Sequence, residues 1–262
     1  MFYLLSVREK VTFGGIMAEA TDTLTNLGFD PDALRNKYRE ERDKRLRQDG
    51  NDQYIEVKGD FSRYVDDPYV EPGFSRESID AEIEVIIIGG GFGGMLAAAR
   101  LREIGIDDFR IIEKGGDFGG TWYWNRYPGA SCDIESYVYF PLLEKTDFVP
   151  KQKYTNAPET LEYCGVIAEK YSLHENALLQ TEVIATEWDE ESGRWKVSTN
   201  RADNISAKYV VHSNGPLNRP KLPAIRGIND YKGHTFHTSR WDYAYTGGDS
   251  HGDLSGLADK KV

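Results

Sequence analysis

Six residues constrain this chain more than any others: Gly89-Gly90-Gly91-Phe92-Gly93-Gly94, placed directly after the apolar run Glu84-Val-Ile-Ile-Ile88. A short β-branched run of that kind reads as a buried parallel strand. Behind the glycines, Leu96, Ala97, Ala99 and Leu101 recur at helical spacing through Met95–Ile104, and Phe109–Ile112 reads as a second strand ending in Glu113. Strand, glycine turn, helix and strand make a βαβ unit. A lone GxGxxG also occurs as a purely structural turn, but in this order it points to a bound nucleotide. Gly89 then permits the tight turn, Gly91 lets backbone approach a pyrophosphate, and Gly94 lets helix pack on strand. Phe92 and Gly93 lie in the glycine loop, and the helix that follows offers its free N–H groups and positive dipole end to the phosphates. Glu113 stands where a carboxylate accepts both hydroxyls of a ribose. It would repel a 2′-phosphate, which favours FAD or NAD over NADP at this first site.

The fold class implied is α/β, a Rossmann-type domain with a parallel sheet, expected over residues 83–230. A helix over Pro158–Tyr171, with Leu161, Cys164, Ala168 and Tyr171 inward, leads into Glu182–Asp189, Arg194–Thr199 and Ser206–Val211. Alternation and turn chemistry make these three a small antiparallel β-meander, whose last run is expected to re-enter the main sheet. Residues 1–82 read as a helical N-terminal arm and linker. Asp30 caps a helix with Pro31 at its first position, running through Asp32–Arg47 to a stop at Gly50. Its apolar stripe is only Leu34, Tyr38 and Leu46, so it either docks on a larger body or stands as a solvated spacer. Asp66, Pro68, Pro72 and Gly73 read as extended linker.

Thirty-two basic against 43 acidic residues leave a net charge of −11, which speaks against nucleic acid as a partner. No stretch approaches the ~20 apolar residues of a membrane helix. Phe2–Leu5 is too short for a signal-peptide core, so the location expected is cytoplasmic, and Met17 is a plausible start. Cys132 and Cys164 form no CxxC pair and share no metal spacing with the five histidines, so no dithiol centre and no metal site are expected.

Gly119-Gly120-Thr121-Trp122-Tyr123-Trp124-Asn-Arg-Tyr-Pro-Gly-Ala-Ser131-Cys-Asp133 follows the second strand. Taken alone, it could be a surface loop packed by its own tryptophans. It resembles the flavin-binding segment of Baeyer–Villiger monooxygenases, with Ser131 where many members carry Arg. Tyr231-Lys-Gly233-His-Thr-Phe-His237-Thr-Ser-Arg-Trp241-Asp242 is similar to that family's fingerprint, with Tyr231 in place of Phe. Ser213–Pro216 resembles a further segment near the flavin, and the charged arm resembles that of large-ring ketone monooxygenases.

The resemblance implies FAD as cofactor, NADPH as reductant, and O2 and a ketone as substrates, with an ester or lactone as product. It adds Lys114, Gly120, Thr121, Trp122, Tyr123, Trp124, Tyr139 and Val183 to the cofactor-binding residues. Asp133 becomes the partner of a catalytic arginine and His237 a coupling residue between FAD and NADP domains. Residues 231–262 are expected to be the fingerprint linker and the start of an NADP-binding domain. Without a second glycine motif and a catalytic arginine, the chain is expected to be a part of the enzyme and inactive alone. An N- or S-oxygenating flavin enzyme and a non-catalytic flavin-binding remnant are the alternatives.

Overall fold

The computed structural model describes residues 28–261; the readings of Phe2–Leu5 and Met17 lie outside the described residues. The chain forms two compact units, divided between Gln53 and Tyr54. The first carries helix α1 (Pro31–Asp43). Its Asp30 cap accepts a hydrogen bond from the Asp32 N–H at 2.9 Å, and Pro31 occupies the first turn, where its missing N–H costs nothing. The helix stops at Asp43, short of Arg47. There Arg47 pairs with Asp49 at 2.6 and 2.8 Å, an i,i+2 contact that helical geometry cannot make.

The second unit is built on a six-stranded sheet. Its strands are β2 (Asp80–Ile88), β3 (Phe109–Ile112), β4 (Ala177–Leu178), β5 (Val183–Asp189), β6 (Arg194–Thr199) and β7 (Asn204–His212). They run in the order β4-β3-β2-β7-β6-β5, and the first four are mutually parallel. Helix α2 (Phe92–Glu103) connects β2 to β3, and helix α3 (Ala157–Lys170) lies between β3 and β4. Ile86, Ile87 and Ile111 are fully buried, as a strand covered on both faces requires. One core joins Val85, Ile87 and Phe109 to Met95, Ala98 and Ala99 of α2 and to Tyr163, Cys164 and Ile167 of α3. Another gathers Ile83, Ile86 and Ile112 with Val197, Ile205 and Ala207.

The α/β class is as expected, and the meander proves continuous with the parallel strands. β7 pairs parallel to β2 from Asn204 to His212 and antiparallel to β6, so one mixed sheet results. Residues 54–82 also belong to this unit, where the sequence suggested arm and linker. β1 (Tyr54–Glu56) pairs antiparallel with β8 (Lys221–Pro223), and Tyr64 is buried. Arg76 grips the buried Asp203 with two bonds of 2.6 and 2.7 Å. These contacts are long-range in sequence, which is why local composition reads as linker.

Both cysteines are free and buried, and burial pushes the Cys164 thiol up, an inert core setting. No described helix is long and apolar enough to cross a membrane.

Candidate functional site

A cavity of about 620 Å³ opens beyond the carboxyl ends of β2, β3 and β7, lined there by Ile88, Ile112, Glu113 and Ser213. This is where parallel α/β sheets place their ligands, because the strand order reverses around the first strand and leaves a crevice.

The glycine loop forms one wall. Gly89 takes φ +109°, open only to glycine, and a Cβ there would lie 2.5 Å from the Ser213 carbonyl oxygen. A Cβ on Gly94 would overlap the Gly89 carbonyl oxygen, so α2 starts in backbone contact with the turn before it. Both glycines shape the loop from behind; Gly91, Phe92 and Gly93 line the cavity itself. The first helical bond runs from Met95 N–H to the Gly91 carbonyl at 3.0 Å, so the N–H groups of Phe92, Gly93 and Gly94 precede the helical ladder. Gly120 faces them across a narrow gap: a Cβ on Gly91 would sit 3.4 Å from the Gly120 Cα. Gly119 N–H donates to the Gly90 carbonyl at 2.9 Å and ties the two glycine segments together.

Glu113 closes the end of β3. It is 6% exposed, and its two oxygens accept from the Gly90 and Gly115 N–H groups, each at 2.6 Å. Burial pushes its carboxyl up; the two N–H donors oppose that shift without cancelling it. Each oxygen keeps a lone pair for a ligand hydroxyl.

The aromatic segment supplies the opposite wall. Trp122 donates from its indole N–H to the Tyr139 hydroxyl at 2.9 Å, and Tyr139 meets Phe92 edge-on at 5.6 Å. Thr121, Trp124 and Val183 also line the cavity. Lys114 lies over the Trp124 ring at 5.1 Å and donates to Asn218 at 3.1 Å; burial holds its amine below the usual lysine range.

Three of the residues singled out from the sequence lie elsewhere. Tyr123 turns away and donates its hydroxyl to Asp67 at 2.7 Å. Asp133 is exposed on a bend and makes no hydrogen bond or ion pair with the described residues. His237 packs against Tyr64 at 6.3 Å and bonds Ser239, and burial, then Arg240, lowers its imidazole pKa. The sequence reading passed over Thr181, Glu182, Arg219 and Lys221, which also line the cavity. The last two follow the Gly215-Pro216 turn, and basic residues just beyond a glycine turn at a strand end were the signal available. No described cluster of three His, Cys, Asp or Glu side chains could hold a metal ion.

A family model described as pyridine nucleotide-disulphide oxidoreductase matches residues 86–248, which contain the glycine loop, Glu113 and both walls of the cavity. The chain belongs to this family. Among its relatives is neopentalenolactone D synthase of Streptomyces avermitilis, 52% identical over 89% of this chain and 39% of the relative. A Baeyer-Villiger monooxygenase of Stachybotrys chlorohalonatus is 50% identical over 97% of this chain and 40% of its own length. Of solved structures, the polycyclic ketone monooxygenase of Thermothelomyces thermophila superposes with a TM-score of 0.77 at 37% identity, covering 86% of this chain and 39% of that one. The resemblance to Baeyer–Villiger monooxygenases is thereby borne out. The chain spans about two fifths of the length of these relatives.

Proposed function

We propose that this chain holds FAD, as the cofactor-binding portion of an NADPH-dependent monooxygenase that inserts one oxygen of O2 into a ketone to give an ester or lactone. The observation that carries the reading is the cavity lining: free N–H groups at the start of α2, a glycine-narrowed gap and a buried carboxylate in one crevice. Those features match, in turn, a pyrophosphate, its close approach to backbone, and a ribose. FAD, when bound, supplies the redox and oxygen-activating chemistry. Phe92, Gly93 and Gly94 bind the pyrophosphate through their N–H groups, and Glu113 accepts from the adenosine ribose. Phe92, Trp122 and Tyr139 exclude water from the apolar end of the cavity. The relatives named Baeyer–Villiger and polycyclic ketone monooxygenases support the reaction class.

The same reading gives Asp133 an arginine partner from the longer protein and His237 a role in coupling the cofactor domain to the NADPH domain. An exposed, unbonded carboxylate fits the first role; a half-buried ring at the fingerprint fits the second.

The test is retention of flavin. The wild-type chain should purify yellow or take up FAD, and Gly91→Val, which pushes a side chain into the gap facing Gly120, should lose it. Unchanged flavin absorbance in the variant would sink the assignment.

A further inference from the structure

The residue that left the cavity points to a second layer behind it. Tyr123 is buried, and its hydroxyl donates to Asp67 Oδ2 at 2.7 Å. The Gly116 N–H reaches both oxygens, at 2.8 Å to the Tyr123 hydroxyl and 3.0 Å to Asp67. Gly115 lies beside the same ring, close enough that a Cβ would come within 2.8 Å of it. The Gly115 N–H in turn donates to Glu113 Oε1. A continuous chain of contacts therefore runs from Asp67 through Tyr123 to the turn that aims the Glu113 carboxylate.

Asp67 is itself held. Its Oδ1 accepts from the Tyr69 N–H at 2.9 Å, and the Tyr69 ring meets Tyr123 edge-on at 5.6 Å. The Arg126 guanidinium sits over both rings, at 3.9 and 4.6 Å. Burial first, then the Asp67 bond, drives the Tyr123 phenol pKa upward, so it stays a proton donor throughout the working pH range. On its other side the turn is bonded by Gln180 and Thr181 N–H groups to the Gly115 and Glu113 carbonyls. Those bonds fix the backbone ends of the turn and leave its Gly116 corner to Asp67 and Tyr123. Asp67 and Tyr69 also lie before residue 86, where the family match begins.

We infer that Asp67 and Tyr123 are positioning residues that aim the Glu113 carboxylate at the ribose hydroxyls of the bound nucleotide. The inference rests on the FAD reading above and deepens it. A carboxylate accepting from a ribose hydroxyl is direction-sensitive, so a small rotation of the Gly115–Gly116 turn weakens that bond and leaves the pyrophosphate contacts alone.

The experiment compares ADP with 2′-deoxy-ADP by titration calorimetry on the flavin-free chain. Wild type should prefer ADP on the order of tenfold or more, the range of a hydrogen bond to a charged group. Glu113→Gln should reduce that preference most. Tyr123→Phe and Asp67→Ala should each reduce it about threefold or more, and Asp67→Asn, which keeps an acceptor for Tyr123, should recover most of it relative to Asp67→Ala. A merely structural role would weaken both ligands equally and leave the ratio untouched. An unchanged ratio in Tyr123→Phe, which lacks one oxygen and keeps the ring, overturns the inference even if Asp67→Ala fails to fold. A wild-type chain that binds neither ADP nor FAD overturns the FAD reading itself.

Discussion

Gly91 and Gly94 belong to one loop, yet a methyl group added to each meets different surroundings. At Gly94 it would overlap the Gly89 carbonyl oxygen and crowd Ile87, so α2 would have to move off β2. Gly94→Ala should therefore destabilise the fold by roughly 1–3 kcal/mol or more, read as a lower urea midpoint. At Gly91 the same methyl makes ordinary contact with Gly120, so Gly91→Ala should unfold close to wild type while losing FAD affinity. Equal midpoints for the two variants would contradict this division. Glu113 carries a pH signature. Only its charged form accepts from two hydroxyls, and burial raises its pKa, so affinity should be full at high pH. It should fall as pH drops through a value above that of an ordinary glutamate, about 4.3. Fluorescence titration of FAD from neutral to acidic pH should show that loss in wild type and a flattened profile in Glu113→Gln. The free chain behaves oppositely: a raised carboxyl favours the folded state at low pH, and that contribution fades as pH rises through the folded value. The glycine turn and the place of Glu113 at the strand end were legible because they depend on local spacing. The outward turn of Tyr123 was not, because it depends on Asp67, which local spacing does not connect to it.

Among the elements, the turn joining β6 to β7 depends on one ion pair. Asp203 accepts from Arg76 twice, from the Ile79 N–H at 2.8 Å and from the Thr199 hydroxyl at 2.6 Å. Arg76 above all holds its pKa at about 2, against the cost of burial. A depressed carboxyl contributes stability that is complete above the unfolded value, about 3.9, and is lost as pH falls through about 2. Arg76→Met leaves the Asp203 charge buried and unpaired and should cost roughly 3 kcal/mol at neutral pH. The gap in melting temperature between wild type and Asp203→Asn should narrow as pH falls from about 4 towards 2; a constant gap would mean that the pair does not titrate with folding. The strands and helix of the βαβ unit, α3 and the three meander strands could be read from the chain to within a few residues, as with Phe109–Ile112 and Arg194–Thr199. The early stop of α1 could not, because Arg45 and Leu46 favour helix by composition, while the chain leaves the helix at Lys44 and Arg47 pairs with Asp49 beyond it.

At the scale of the molecule, the segment from Tyr54 to Glu82 is a structural part of the cofactor-site unit. It supplies β1, the buried Tyr64, Asp67 behind the site and Arg76 against the turn between β6 and β7. A chain beginning at Ile83 should therefore unfold at lower denaturant than one beginning at Tyr54, and should hold FAD more weakly. Matching denaturation curves would make the segment dispensable.

The sequence by itself determined the βαβ unit, the nucleotide motif, the acid at the strand end and the family resemblance. All of these rest on residues close in the chain, where spacing translates directly into strand, turn and helix. The re-entry of the meander's last run was also expected from its lead into Gly215-Pro216; only the tertiary structure decided the register in which β7 pairs with β2 and that residues 54–82 clasp the sheet. It also decided which aromatics of the Trp-rich segment face the cavity. Each of those depends on pairs that are distant in sequence, such as Asp80 with Asn204 or Asp67 with Tyr123, and local periodicity carries no information about such partners.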